Sequence, residues 1–133
     1  MKILFVCKGN VGRSQMATAL FNKMSKIKAS SAGTNVKEDE GQKIKEIPLA
    51  KPVIEFMKKE GIDVAENTRT QVTPEMLKKF DKVIVMAEPE SIPDYLSNAN
   101  NVEFWDVENP KGMDKRGYEK IISQLRSNIK SLL

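Results

Sequence analysis

A thiol and a guanidinium stand at the two rims of Cys7-Lys8-Gly9-Asn10-Val11-Gly12-Arg13-Ser14, a string that follows directly on the apolar run Ile3-Leu4-Phe5-Val6. An apolar run giving way to small residues and then to a helical pattern reads as a strand, a loop and a helix start. Backbone amides converging at a helix N-terminus attract an anion. The same field favours a thiolate over a thiol, and the thiolate is the nucleophilic form of cysteine. Arg13 adds a planar fork that grips two oxygens of a tetrahedral oxyanion, which a lysine cannot do. A nucleophile beneath a phosphate-shaped cradle is the equipment of covalent phosphoryl transfer through sulfur.

Two other readings of the string compete. A lone cysteine at the end of a core strand is often only a small buried side chain. Gly12-Arg13-Ser14 also looks like the end of a nucleotide-binding loop, but that motif needs an earlier glycine and a lysine before the hydroxyl. Cys7 and Arg13 occupy those two places, so the nucleotide reading fails twice. Asn10 and Ser14 have local uses of their own, since asparagine tolerates tight-loop dihedrals and serine caps helices.

The elements that must hold this loop alternate between strand and helix. Residues 2–6 read as a buried strand. Over 14–26, Met16, Leu20 and Met24 fall on one helical face. A second short strand is expected over 28–32. Residues 34–50 dissolve into Lys, Glu and Asp, which predicts a long mobile loop of the kind that often carries function. A helix over 52–60 ends at Gly61, a helix-stop residue. Thr73-Pro74-Glu75 spells a helix start. Residues 82–86 are near-continuously apolar, as in a sheet covered on both faces. A short helix over 88–96 is limited by Pro93, a fourth strand covers 102–107, and Tyr118, Ile121, Ile122, Leu125, Ile129 and Leu132 stripe the last helix. The prediction is an α/β fold: one domain over 1–133, a four-stranded parallel sheet with helices on both faces, and the phosphate-binding loop between strand 1 and helix 1. In such sheets a site lies at the carboxyl ends of the strands, where Cys7 falls.

Composition narrows the chemistry. The 133 residues hold one Cys and no His. No intramolecular disulfide can form, which suits a reducing cytoplasm. Cys-His and Ser-His relays and His-ligated metal sites are excluded, so proton transfer falls to a carboxylate, Tyr, Lys or water. The N-terminal apolar run is too short for a signal peptide and Lys8 interrupts it. No apolar run approaches the roughly 18 residues of a membrane span. The net charge of +4 is modest and its basic residues are scattered. With few aromatics, nucleic-acid binding is not expected. No cofactor or metal is expected.

The motif Cys-x-Gly-Asn-x-x-Arg-Ser resembles that of the low-molecular-weight protein tyrosine phosphatases and the arsenate reductases sharing their fold. Ser31-Ala32-Gly33-Thr34, Gly61-Ile62, Arg69, Val83-Ile84-Val85-Met86 and Trp105-Asp106-Val107-Glu108-Asn109-Pro110 extend the likeness over most of the chain. The resemblance implies Cys7 as nucleophile, Arg13 as phosphate clamp, Asn10 as keeper of the loop shape and Ser14 as hydrogen-bond donor to the thiolate. Lys8, Gly9, Asn10, Val11, Gly12 and Arg13 would wrap the phosphate. It also implies a monomer whose substrate is a phosphorylated protein or small phosphoester, with inorganic phosphate or arsenate as oxyanion ligand.

One family element is missing. The family's general acid is an Asp before a Pro in a late loop, and that place reads Asn109-Pro110. An amide cannot donate a proton at neutral pH. Asp106 and Glu108 lie just upstream as substitutes within reach of a bent loop. After the Pro, where an aromatic often flanks a tyrosine substrate, stands Lys111. Val11 replaces the Thr of phosphoarginine-directed relatives, and Gly12 replaces a second Cys, so no protective disulfide can form. Three functions remain open: a cysteine-dependent phosphatase with an atypical or absent acid, an arsenate reductase using an external thiol, and a non-catalytic oxyanion or phosphoprotein-binding module.

Overall fold

The computed structural model describes residues 1–133. Strands β1 (Ile3–Cys7), β2 (Ser30–Gly33), β3 (Lys82–Val85) and β4 (Val102–Phe104) form one parallel sheet in the order β2-β1-β3-β4. Helices α1 (Arg13–Met24), α2 (Lys51–Lys59) and α5 (Lys115–Lys130) cover one face; the short helices α3 (Pro74–Leu77) and α4 (Asp94–Ser97) cover the other. The expected fold class therefore holds.

Strand alternation explains why every residue of β1 is buried. Ile3 and Phe5, with Ile84 and Met86 after them, join the larger core under α1, α2 and α5. Leu4 and Val6, with Val83 and Val85, pack on Val72, Leu77 and Leu96 on the opposite face. Successive side chains point to opposite faces, so a strand covered on both sides has no polar position. Phe5 anchors the larger side, its ring 5.8 Å from both Phe21 and Trp105.

The elements differ from expectation where backbone chemistry intervened. The predicted 88–96 helix splits into a single 3-10 turn (Pro89–Ser91) and α4, because Pro93 removes an N–H and holds Ile92 extended. The fourth strand stops at Phe104, where the chain turns toward the site. Residues 34–50 are not a featureless loop. They carry 3-10 turns at Lys37–Asp39, Ile44–Glu46 and Pro48–Ala50. Val36, Ile44 and Ala50 are buried as anchors. Amide bonds from Ile44 to Asn67 and Lys45 to Ala65, with reciprocal ones between Gly41–Gln42 and Arg69, lace the segment to the chain before α3. Three isolated apolar anchors in a charged segment have no period, so the pattern hid them.

Candidate active site

The carboxyl end of β1 delivers Cys7 to the floor of a cleft of about 340 Å³. The loop after it turns on Asn10, whose φ of 56° is left-handed, a conformation asparagine tolerates. Asn10 holds that turn with its whole side chain. Nδ2 donates to Ser14 Oγ (2.7 Å) and Ser31 Oγ (3.0 Å), while Oδ1 accepts from the Thr70 amide (2.8 Å). Cys7 Sγ lies 3.0 Å from Ser14 Oγ and accepts from the Asn10 amide at 3.3 Å. Either atom of that Cys7–Ser14 pair can donate; toward a thiolate, which has no hydrogen, the Ser14 hydroxyl is the donor.

The amides of Lys8, Gly9, Val11, Gly12 and Arg13 donate to no other protein group. Helix α1 begins over them without a side-chain cap and without an acid in its first turn. Its positive end thus remains open toward the loop, the arrangement that binds an anion.

Arg13 is 3% exposed and its donors are divided. Nη1 donates to the carbonyls of Met86 (2.6 Å) and Val107 (3.0 Å) and to Glu88 Oε2 (2.9 Å); Nη2 donates to Glu88 Oε1 (3.0 Å). Nε and the second Nη2 hydrogen have no protein acceptor, which leaves one fork of the guanidinium unspent. Glu88 fixes the other fork, and Arg13's hydrogen bonds hold the Glu88 carboxyl below its ordinary range.

A second layer fixes the loop itself. Gln15, buried at the start of α1, donates to the Asn10 and Thr68 carbonyls (3.1 and 3.3 Å) and accepts from Asn67 (3.2 Å). Arg69 Nε donates to the Gly9 carbonyl at 3.0 Å and Nη1 to Gln42 at 2.8 Å. Gly33 lets β2 approach: a Cβ there would lie 2.6 Å from the Lys8 carbonyl and 2.9 Å from the Asn10 amide.

The late-loop residues considered as proton donors line two adjoining depressions. Asn109 borders the Cys7 cleft, and its Oδ1 accepts from the Lys111 amide at 3.1 Å. Asp106 and Glu108 line an adjoining depression of about 1070 Å³ that shares Arg13 and Asn109 with the cleft, together with Glu88 and Asp94. No Asp or Glu lines the Cys7 cleft, whereas Lys8, Arg13, Arg69 and Lys111 all do. Tyr118 also faces it, and burial pushes its phenol above the ordinary range, so it stays protonated at neutral pH. Glu88 and Gln15 lie outside the motifs of the sequence, and Arg69 enters there only through the resemblance, without a role. The one hint for Glu88 was its place just past a fully buried strand end, where a buried arginine needs a counter-charge.

Comparison with known proteins follows the same lines. The family profile described as low molecular weight phosphotyrosine protein phosphatase matches residues 2–133. A crystal structure of a low molecular weight protein tyrosine phosphatase from T. tengcongensis is 33% identical, with a TM-score of 0.81 over 99% of this chain and 97% of that one. The structure of an arsenate reductase from Archaeoglobus fulgidus is 30% identical, with a TM-score of 0.69 over 98% and 97% of the two chains. Among curated sequences, the probable low molecular weight protein-tyrosine-phosphatase EpsP of Ralstonia solanacearum is 24% identical over 96% of this chain and 90% of its own length.

Proposed function

This chain belongs to the low molecular weight phosphotyrosine protein phosphatase family, and from that premise we propose that it hydrolyses phosphate monoesters through a phosphocysteine, without a carboxylic general acid. The observation that carries this reading is Cys7 Sγ beneath unspent loop amides, beside the free fork of Arg13 and within 3.0 Å of Ser14 Oγ. In the first step the thiolate attacks phosphorus: an S–P bond forms as the P–O bond breaks. The loop amides and Arg13 take up the charge spread over the equatorial oxygens. Ser14 stabilises the sulfur when it leaves again. Water then attacks phosphorus, the S–P bond breaks, and inorganic phosphate departs with the thiolate restored. The substrate class is a phosphoprotein or small phosphoester. The lone thiol fits a monomer working in the cytoplasm.

The leaving oxygen is where this chain departs from its family. With Asn109 at the acid's place and Asp106 and Glu108 in the adjoining depression, no carboxyl lines the cleft to protonate the leaving group, and its proton comes from water rather than from a carboxylic acid. Phenolates such as p-nitrophenolate leave without one, but alkoxides do not. General acid catalysis contributes roughly 10²–10⁴-fold, and a deficit of that size is expected for alkyl phosphates. Asn109→Asp should restore part of it and add an acidic limb to the pH–rate profile. Cys7→Ser should end turnover while phosphate still binds. Full activity in Cys7→Ser would overturn the mechanism. Loss of activity in Asp106→Asn or Glu108→Gln would show that a carboxylate swings in. No change from Asn109→Asp on any substrate, with no turnover at all, would favour a binding module.

Arsenate reduction is a second reading, supported by the 30% identity to the A. fulgidus arsenate reductase. One Cys in the sequence leaves no intramolecular relay. An external thiol must attack the Cys7–arsenic adduct at sulfur, so arsenic is reduced as a mixed disulfide forms, and a second thiol then frees Cys7. Arsenite formation from arsenate with a small thiol as the sole reductant tests it; absence of arsenite rejects it.

A further inference from the structure

We infer that the Cys7 cleft is built for phosphate esters bearing a second anionic group, a carboxylate or another phosphoryl near the one cleaved, and that Lys111 reads that group. This rests on the phosphatase reading and names the substrate class within it.

The cleft's charges are unbalanced in a telling way. Its lining has basic side chains and no carboxylate. Two of those cations are already committed. Arg13 is paired with Glu88, and Arg69 is bonded to Gly9 and Gln42 with Asp39 at 3.5 Å. Lys8 and Lys111 form no ion pair and donate no side-chain hydrogen bond. The oxygens of the scissile phosphoryl are served by the loop amides and the Arg13 fork. The ammonium of Lys111 is surplus to that task.

Its backbone is also held in place. Pro110 is buried, and its Cγ lies 3.7 Å from where a Cβ on Gly12 would sit. Asn109 accepts from the Lys111 amide, and Gly112 closes the turn at a φ of 81°. This fixes the root of Lys111 against the phosphate loop. The place of the family's proton donor, Asn109, serves here as the brace for a cation. Val11, Ile47, Leu49 and Val53 give the same cleft its apolar lining, with Leu49 61% exposed. An ester whose hydrocarbon packs on that lining brings a neighbouring anion into the cleft that Lys111 also lines. A partly dry cleft with one sign of charge concentrates such substrates.

The test compares matched pairs. One pair is a phosphotyrosine peptide flanked by Glu against the same peptide flanked by Gln. The other is an aryl phosphate with a ring carboxylate against its carboxamide. In the wild-type protein the anionic member of at least one pair should have a kcat/KM about two- to fivefold higher, expressed in KM, the range that a single exposed ion pair to Lys111 supplies. The preference should vanish in Lys111→Gln and at 1 M salt, where the screening length falls to about 3 Å. It should survive in Lys130→Gln, which removes the same charge from the far end of α5. Preference in the peptide pair alone assigns the second anion to a flanking residue; preference in the aryl pair alone assigns it to a small molecule. Equal kcat/KM in both pairs, or a preference that persists in Lys111→Gln, overturns the inference. Competition binding of the corresponding non-hydrolysable phosphonates reads the same selectivity without turnover, so a failed phosphatase reaction and a failed selectivity are told apart.

Discussion

Arg13 shows how one side chain can be both structure and chemistry. Its Nη1 hydrogens and one Nη2 hydrogen are spent on Glu88 and on the carbonyls of Met86 and Val107, which aims the remaining fork of Nε and the second Nη2 hydrogen. Arg13→Lys keeps the charge and loses that geometry. With charge-assisted bonds worth about 1.5–3 kcal/mol each, one lost bond should lower kcat/KM on p-nitrophenyl phosphate roughly 10–100-fold and weaken phosphate binding alongside; steady-state kinetics and calorimetric titration check both. Glu88 gives a pH signature. Its carboxyl is held below the ordinary range by Arg13, so its contribution is complete above the unfolded value of about 4.3 and is lost as pH falls through the folded one. Chemical denaturation of the wild type and Glu88→Gln should therefore differ at pH 7 and converge below about pH 4. A gap that widened toward low pH would contradict the pairing.

At the scale of elements, the site is the meeting of a strand end, a loop and a helix start, pressed from the side by β2. That pressure is possible only because Gly33 has no side chain. A methyl group there would meet the Lys8 carbonyl at 2.6 Å and Val36 Cγ2 at 2.8 Å, and backbone cannot yield as a flexible side chain would. Overpacking of this kind costs typically about 1–3 kcal/mol. Gly33→Ala should lower the melting temperature and also reduce kcat on p-nitrophenyl phosphate by about tenfold or more, because the displaced atoms belong to the phosphate loop. Melting curves and kinetics on the same preparation would separate this from simple destabilisation: normal kcat in the folded protein would mean that the loop is not the part that moves.

For the whole molecule, two unequal cores clamp the sheet. The larger, under α1, α2 and α5, contains Leu125 with no exposed surface. Leu125→Ala removes buried methyl groups and leaves a cavity in the core, about two helical turns along α5 from Tyr118, the residue of that helix that lines the cleft, at a cost of about 2–5 kcal/mol. Equilibrium denaturation should show that loss. Turnover measured well below the lowered melting temperature should stay within about twofold of the wild type. A large kcat defect in still-folded protein would mean that the core tunes the site directly.

What the sequence determined by itself is what neighbours in the chain decide. The phosphate loop is eight consecutive residues, so the order Cys7 to Ser14 dictates a strand end, a left-handed Asn10 and a helix start. The Thr73 cap on Met76 and the alternation of strand and helix follow in the same local way. Glu88 meets Arg13 across 75 positions of chain and Arg69 meets Gly9 across 60; Gln15 meets Asn67 across 52. No period or motif announces such pairs. They arise because a buried guanidinium must find acceptors and a tight loop must have its carbonyls satisfied, wherever the fold happens to bring partners. The ordering of residues 34–50 by Val36, Ile44 and Ala50 was hidden for the same reason, since isolated anchors matter only once there is a core to receive them. So was the fate of the late-loop acids. Spacing along the chain put Asp106 and Glu108 near Asn109, but only the path of the chain after Phe104 placed them in the adjoining depression and left the lining of the Cys7 cleft to its cations.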